Sequence, residues 1–367
     1  MKRLTRNLIY LGLITAIEVG VFQHYDHLLV DASKTTASTA LNATVQPTVL
    51  RNIQLLQNNL AAVSDTGQSF AYVDPHEVLH VVDLQTGQEI YHLQLLYQPV
   101  YLSWIRDDSL FIGTTAPDGQ LQDLRLSTIS LIGGGSSANT TGNGSSAQTA
   151  GSTGATANAN SATSAADNAV RLLHVFTGYG TNATFKQIAF SPYTNDVYIL
   201  IASSSASLVY HYGTNGNLEN IDLGGRYVTD VGMTRTAGVM YFQDLSSGTP
   251  NVWLFSRING SSLVQRNAVI VRVLGNDLYY GSVDSSGNVT AVYKDVNGKS
   301  SLVSSLTTPM PQQDVFVNDE GQVMTVSNGQ ETNVTTGQTN SLNGAQVVHR
   351  EDALIFLSPN GTAKFVL

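Results

Sequence analysis

From residue 60 to the C-terminal Leu367, short apolar runs alternate with polar turns in a unit of about 40 residues. The first copy shows the whole cycle. An apolar stretch at 60–64 ends at Asp65-Thr66-Gly67, and a second follows at 70–73. Asp74-Pro75 turns the chain into a third at 78–84, and Thr86-Gly87 launches an outer one at 89–93. Later copies keep the last turn as Asn215-Gly216, Asn259-Gly260 and Asn297-Gly298, spaced by 44 and 38 residues. Asn and Gly tolerate the positive φ angles of tight hairpins, so each pair closes one strand and begins its neighbour.

First strands are expected near Leu60, Val100, Lys186, Val228, Val269, Asp314 and Gln346, which makes seven copies. The last is one strand short. Residues 50–57 (LRNIQLLQ) are apolar and belong to no hairpin of their own. The expected fold class is therefore all-β: a seven-bladed β-propeller closed by an N-terminal strand, which removes exposed sheet edges. Runs such as 197–201 and 278–280 are expected to pack blade against blade, and no amphipathic helical window competes beyond the N-terminus. A pair of all-β sandwiches is the structural alternative.

Two segments fall outside the repeat. Residues 133–168 are Gly, Ser, Ala, Thr and Asn with one Gln and one Asp. This composition cannot supply a core, so a disordered low-complexity loop in the second blade is expected, spanning about 30 to 36 Å as a flexible coil. The alternative is a boundary between two domains. At the N-terminus, Lys2, Arg3 and Arg6 precede an apolar run at 8–22. This reads as one transmembrane helix with the N-terminus in the cytoplasm and the propeller outside, or as a signal peptide cleaved near Ala32, which would release a secreted protein. The expected organisation is 1–32 as cytoplasmic tip, signal anchor and juxtamembrane segment, 33–48 as a Ser/Thr/Ala-rich stalk, and 49–367 as the propeller. Glu18 is the one ionisable residue in the apolar run and is a candidate contact with a membrane partner; snorkelling to the interface also accounts for it.

Composition narrows the chemistry. There is no cysteine, which excludes disulfides and cysteine-metal sites. A net charge of -9 with 12% charged residues argues against nucleic acid as a partner. His76-Glu77-Val78-Leu79-His80 matches the H-E-x-x-H pattern of zinc proteases, but that chemistry needs a helix. Here the repeat calls for a strand, which would hold the two histidines roughly 13 Å apart. Arg106, Lys186, Arg226, Arg272 and Arg350 fall at or near inner strands and are candidates for an anion site in a central channel, with structural pairing as the alternative. Trp104, Tyr193 and Trp253 are candidates for stacking on a sugar, or packing residues. The acidic turns at Asp118-Gly119 and 284–287 are explained as hairpin turns. No catalytic residue, metal ligand or cofactor site is assigned.

The segment Asp83-Leu84-Gln85-Thr86-Gly87-Gln88-Glu89-Ile90-Tyr91 resembles the D-x-x-T-G-x-x-x-W blade motif of quinoprotein-like and YVTN-type propellers, with Tyr in place of Trp. Asn333-Val334-Thr335-Thr336-Gly337-Gln338 is a weaker echo. The resemblance implies a fold that most often serves as a protein-binding scaffold and sometimes as a quinone or lactone enzyme. The quinone-dependent members carry many faithful motif copies and further cofactor ligands, which this chain does not show. The function expected is a membrane-anchored extracytoplasmic scaffold binding an envelope or membrane protein. A solute- or glycan-binding propeller and a channel-centred hydrolase or lyase are the alternatives.

Overall fold

The computed structural model describes residues 50, 53–56, 60–131, 170–236, 238–245, 248–342, 346–349, 354–358 and 361–366. All belong to the compact unit Val49–Leu367. The expected anchor with Glu18, the stalk, the 133–168 segment and Arg350 lie outside the described residues.

Every sheet is an antiparallel meander built by consecutive hairpins. The first blade comprises β1 (Ala61–Val63), β2 (Ser69–Val73), β3 (Val78–Asp83) and β4 (Glu89–Gln94), and the second β5 (Gln98–Arg106), β6 (Ser109–Asp118), β7 (Leu121–Ser130) and β8 (Val170–Gly180). The third holds β9 (Thr184–Phe190), β10 (Val197–Ala202), β11 (Ser207–Tyr212) and β12 (Leu218–Asn220); the fourth β13 (Val228–Met233), β14 (Met240–Asp244), β15 (Asn251–Ser256) and β16 (Gly260–Arg266). The fifth is β17 (Ala268–Leu274), β18 (Asp277–Val283), β19 (Val289–Val296) and β20 (Lys299–Met310), and the sixth β21 (Val315–Val317), β22 (Val323–Ser327), β23 (Gln330–Asn333) and β24 (Thr339–Ser341). The remaining strands, β25 (Gln346–His349), β26 (Leu354–Leu357) and β27 (Ala363–Val366), form a sheet of three.

The propeller is therefore corrected from the expected seven blades to six complete four-stranded ones. Among the described residues of 50–57 no closing strand forms. Leu50 makes one isolated bridge to Ala363, whose N–H donates to the Leu50 carbonyl at 3.1 Å, and the Ile53 N–H donates to Gly361 at 2.9 Å. By Leu56 the backbone already bonds to Val73 in the first blade. The same few residues must touch the C-terminal sheet and then reach Leu60, which leaves no length for a fourth strand. The contact is still apolar: Leu50 and Ile53 bury with Val63, Phe70, Ile355 and Ala363. The expected transmembrane helix finds no support in the structure: among the described residues no helix is long and apolar enough to cross a membrane, and the run at 8–22 lies outside them.

Packing explains the residue pattern. Second strands lie between neighbours in their own blade and beneath both adjacent blades, so β10 (VYILIA) is buried at every position rather than on alternate ones. Glycine is needed where blades approach most closely. A Cβ on Gly232 would lie 2.5 Å from Cγ2 of Val273 in the next blade, and one on Gly113 would lie 2.5 Å from the Phe185 ring.

The D-x-x-T-G motif is a structural turn. Asp83 Oδ1 accepts from the N–H groups of Gln85 (2.9 Å) and Thr86 (2.7 Å) and from the Thr86 hydroxyl (3.0 Å). Asn333 repeats the device five blades on, accepting from the Thr336 N–H at 3.0 Å. Both turns join a third strand to an outer strand, as do the Asn-Gly pairs.

Candidate functional site: a stapled channel mouth

In a meander blade the turn between first and second strands returns the chain at one end of the channel. Here these turns are tied to one another around the ring. Thr66 donates its N–H and hydroxyl to Asp107 Oδ1 at 3.1 and 2.7 Å. Arg106 Nη2 donates to the Pro192 carbonyl and to Asn195, both at 3.2 Å. The Ser191 hydroxyl donates to the Arg235 carbonyl at 2.5 Å, and the Arg235 N–H to that of Gly275 at 2.7 Å. Asn276 Nδ2 donates to the Thr236 hydroxyl at 2.6 Å. Arg272 then reaches the sixth blade, donating from Nη1 to the Val317 carbonyl at 2.8 Å and from Nη2 to Asp319 at 2.6 Å. One face of the propeller is thus linked from the first blade to the sixth.

That face opens on a channel of about 630 Å³ walled by the inner strands. Its titratable lining comprises Asp65, Lys186, Asp230, Arg235, Arg272 and Asp319. Asp65 is held above the usual carboxylate range by desolvation and by the Asp107 carboxylate, against the opposing pull of Arg235 and Arg272. Asp230 is deeper. Solvent reaches it only partially along the channel, and the surrounding protein raises its pKa to about 7; the Val231 N–H is the one group that opposes the rise.

The inner strands aim these side chains through bulges. Pairing skips Val100 on β5, Lys186 on β9, Thr229 on β13, Val271 on β17 and Val348 on β25. A bulge twists its strand and redirects the next side chain. Asp230 and Arg272 each directly follow one.

Of the basic residues expected in the channel, Lys186 and Arg272 line it. Arg106 is a staple between blades. Arg226 lies elsewhere, 4.1 Å over the Trp253 ring, donating to the Leu223 carbonyl and facing Asp244 at 3.4 Å. Trp253 also stacks on Phe242 and is a packing residue. Trp104 is buried, with its Nε1 donating to the Ala62 carbonyl at 3.1 Å. Tyr193 is exposed at the mouth beneath the Arg235 guanidinium. His76 and Glu77 lie in a turn, with Glu77 at φ 61°, and His80 is on β3. His80 contacts Glu89 at 2.6 Å and Asp74 at 3.4 Å. Asp284 caps its own turn, accepting from the N–H groups of Ser286 and Asn288. Among the described residues no group of three or more His, Asp or Glu side chains is arranged to hold a metal ion.

Asp65, Asp230, Arg235 and Asp319 are not singled out by sequence reasoning. The available signal was local: Asp230 places a carboxyl in the inner strand VTDVGM where the bulged inner strands β5, β9 and β17 carry Tyr101, Gln187 and Arg272. Its meaning depends on the channel.

No family model matches this chain, and no curated protein does. Solved structures similar in fold include TolB from Acinetobacter baumannii, at 12% identity and TM-score 0.39 over 68% of this chain and 55% of that one. Another comes from a study of two prolyl endopeptidases, at 14% identity and TM-score 0.49 over 83% of this chain and 44% of that one. The chain spans about half the length of each. These likenesses concern the β-propeller fold alone.

Proposed function

We propose that the propeller is an extracytoplasmic protein-interaction scaffold of the cell envelope, which receives a segment of an envelope or membrane protein at the stapled channel mouth. The observation that carries this reading is the chain of hydrogen bonds linking the first turns of six blades, which pre-forms one face while exposed Tyr193, Arg235 and Asp65 project from it. A face rigid before binding loses little conformational entropy on capture, and an exposed aromatic beside an arginine is a common binding anchor. Lys2, Arg3 and Arg6 before the apolar run at 8–22 support placement outside the cytoplasm. The D-x-x-T-G turns are the ground for grouping the chain with quinoprotein-like and YVTN-type propellers.

The test is crosslinking of the tagged full chain in its native envelope, followed by identification of what co-purifies. Tyr193→Ala and Asp65→Asn should lose a stoichiometric partner. Leu96→Ser changes a side chain 90% exposed in the connection to the second blade, away from the mouth, and should retain it. Capture lost with Leu96→Ser and kept with Tyr193→Ala would move recognition to the other face. No stoichiometric partner in the unaltered protein would overturn the scaffold reading.

The channel volume supports a second reading, a solute-binding propeller, because it falls within the range of small-molecule pockets.

A further inference from the structure

We propose that the channel seats one primary ammonium group, from a lysine of a bound segment or from a small alkylamine, on the carboxylate of Asp230. The proposal deepens the scaffold reading and rests on it for the lysine source.

Residues two apart on a strand share a face. Asp230 therefore lies on the side of β13 where Gly232 closes against Val273, and the fifth blade shields it on one flank. The channel leaves the other side open. Among the described interactions its carboxyl receives a single hydrogen bond, from the Val231 N–H. A carboxylate can accept about four, so most of its capacity faces the channel unused. Burial of an unpaired carboxylate is unfavourable, and an incoming cation would relieve it.

The charged groups around it do not supply that cation. Arg272 on β17 is committed to Val317 and Asp319. Arg235 lies over Tyr193 at the mouth. Lys186 on β9 is exposed in the same channel, yet it is not among the groups acting on Asp230. Asp65 at the mouth attracts a cation against the pull of Arg235, while Asp319 is paired with Arg272.

An ammonium fits better than a guanidinium. The Val231 N–H already occupies part of the carboxylate, while a guanidinium prefers both oxygens for its planar fork. A compact ammonium needs one oxygen and has two further N–H groups to donate. Gln187 lines the same channel, and its side-chain carbonyl can accept one of them.

The experiment follows the side-chain carboxyl carbons of the full chain, labelled at aspartate, through a pH titration; the Asp230→Asn variant identifies the Asp230 signal. The probes are butylamine and a capped Gly-Lys-Gly peptide, with butanol and the norleucine peptide as neutral controls. Expected is a midpoint for Asp230 lowered by about one unit with either amine and by neither control, and binding about tenfold weaker in Asp230→Asn. Response to the peptide alone identifies a partner's lysine as the source, and response to butylamine alone a free amine; each supports the seat. An unmoved midpoint, or equal binding by Asp230→Asn, overturns it. Lys186→Met is the second variant: a midpoint that rises on its introduction would make Lys186 the resident ammonium and overturn the proposal. If capture of the envelope partner survives in Asp230→Asn while both probes fail, the scaffold stands without the seat.

Discussion

The indole Nε1 of Trp104 donates to the Ala62 carbonyl at 3.1 Å, joining the inner strand of the second blade to that of the first. The donor is 42 residues from its acceptor and buried. Trp104→Phe should retain most of the packing and lose this bond, lowering stability by about 1 kcal/mol. Trp104→Ala adds a cavity and should cost about 3 to 5 kcal/mol. Urea unfolding of both variants checks the ratio; no loss in Trp104→Phe would show that the bond contributes nothing.

Asp230 makes stability depend on pH in an uncommon direction. Its folded pKa of about 7 lies above the ordinary carboxylate value, so the folded state binds the proton more tightly than the unfolded chain does. The associated stability is complete below the unfolded pKa and is lost as pH rises from about 4 through 7. A shift of roughly three units corresponds to about 4 kcal/mol, and channel water should reduce that to about 2 kcal/mol. Asp230→Asn should therefore raise the melting temperature at pH 8 and change it little at pH 4. An equal effect at both values would show that Asp230 does not titrate between them.

Gly232 sets the spacing of the fourth and fifth blades. Gly232→Ala would force a Cβ against Val273 and should cost about 1 to 3 kcal/mol. Adding Val273→Ala makes room for it, so the double variant should be more stable than the sum of the two single changes implies. Additive losses would show that contact with Val273 is not what opposes the new Cβ.

The Asp83 turn needs an acceptor, not a charge, because Asn333 performs the same task in the sixth blade. Asp83→Asn should leave stability nearly unchanged, whereas Asp83→Ala should cost about 1 kcal/mol. Thermal melts of the two variants test the difference. A large loss in Asp83→Asn would mean that the carboxylate's charge holds the turn.

The sequence by itself determined the strand-and-turn unit, the starts of the inner strands and the turn chemistry of Asp83-Thr86-Gly87 and the Asn-Gly pairs. These are local: period-two strands and positive-φ turns are encoded within a few neighbouring residues. Only the tertiary structure decided that residues 50–57 make an isolated bridge instead of a strand, because the same segment must also reach the first blade. It decided equally that Asp230 faces a channel and that Arg106 and Asp107 staple blades. Those roles depend on bulges that redirect side chains and on partners 41 and 89 residues away, and no local periodicity records a contact at that separation.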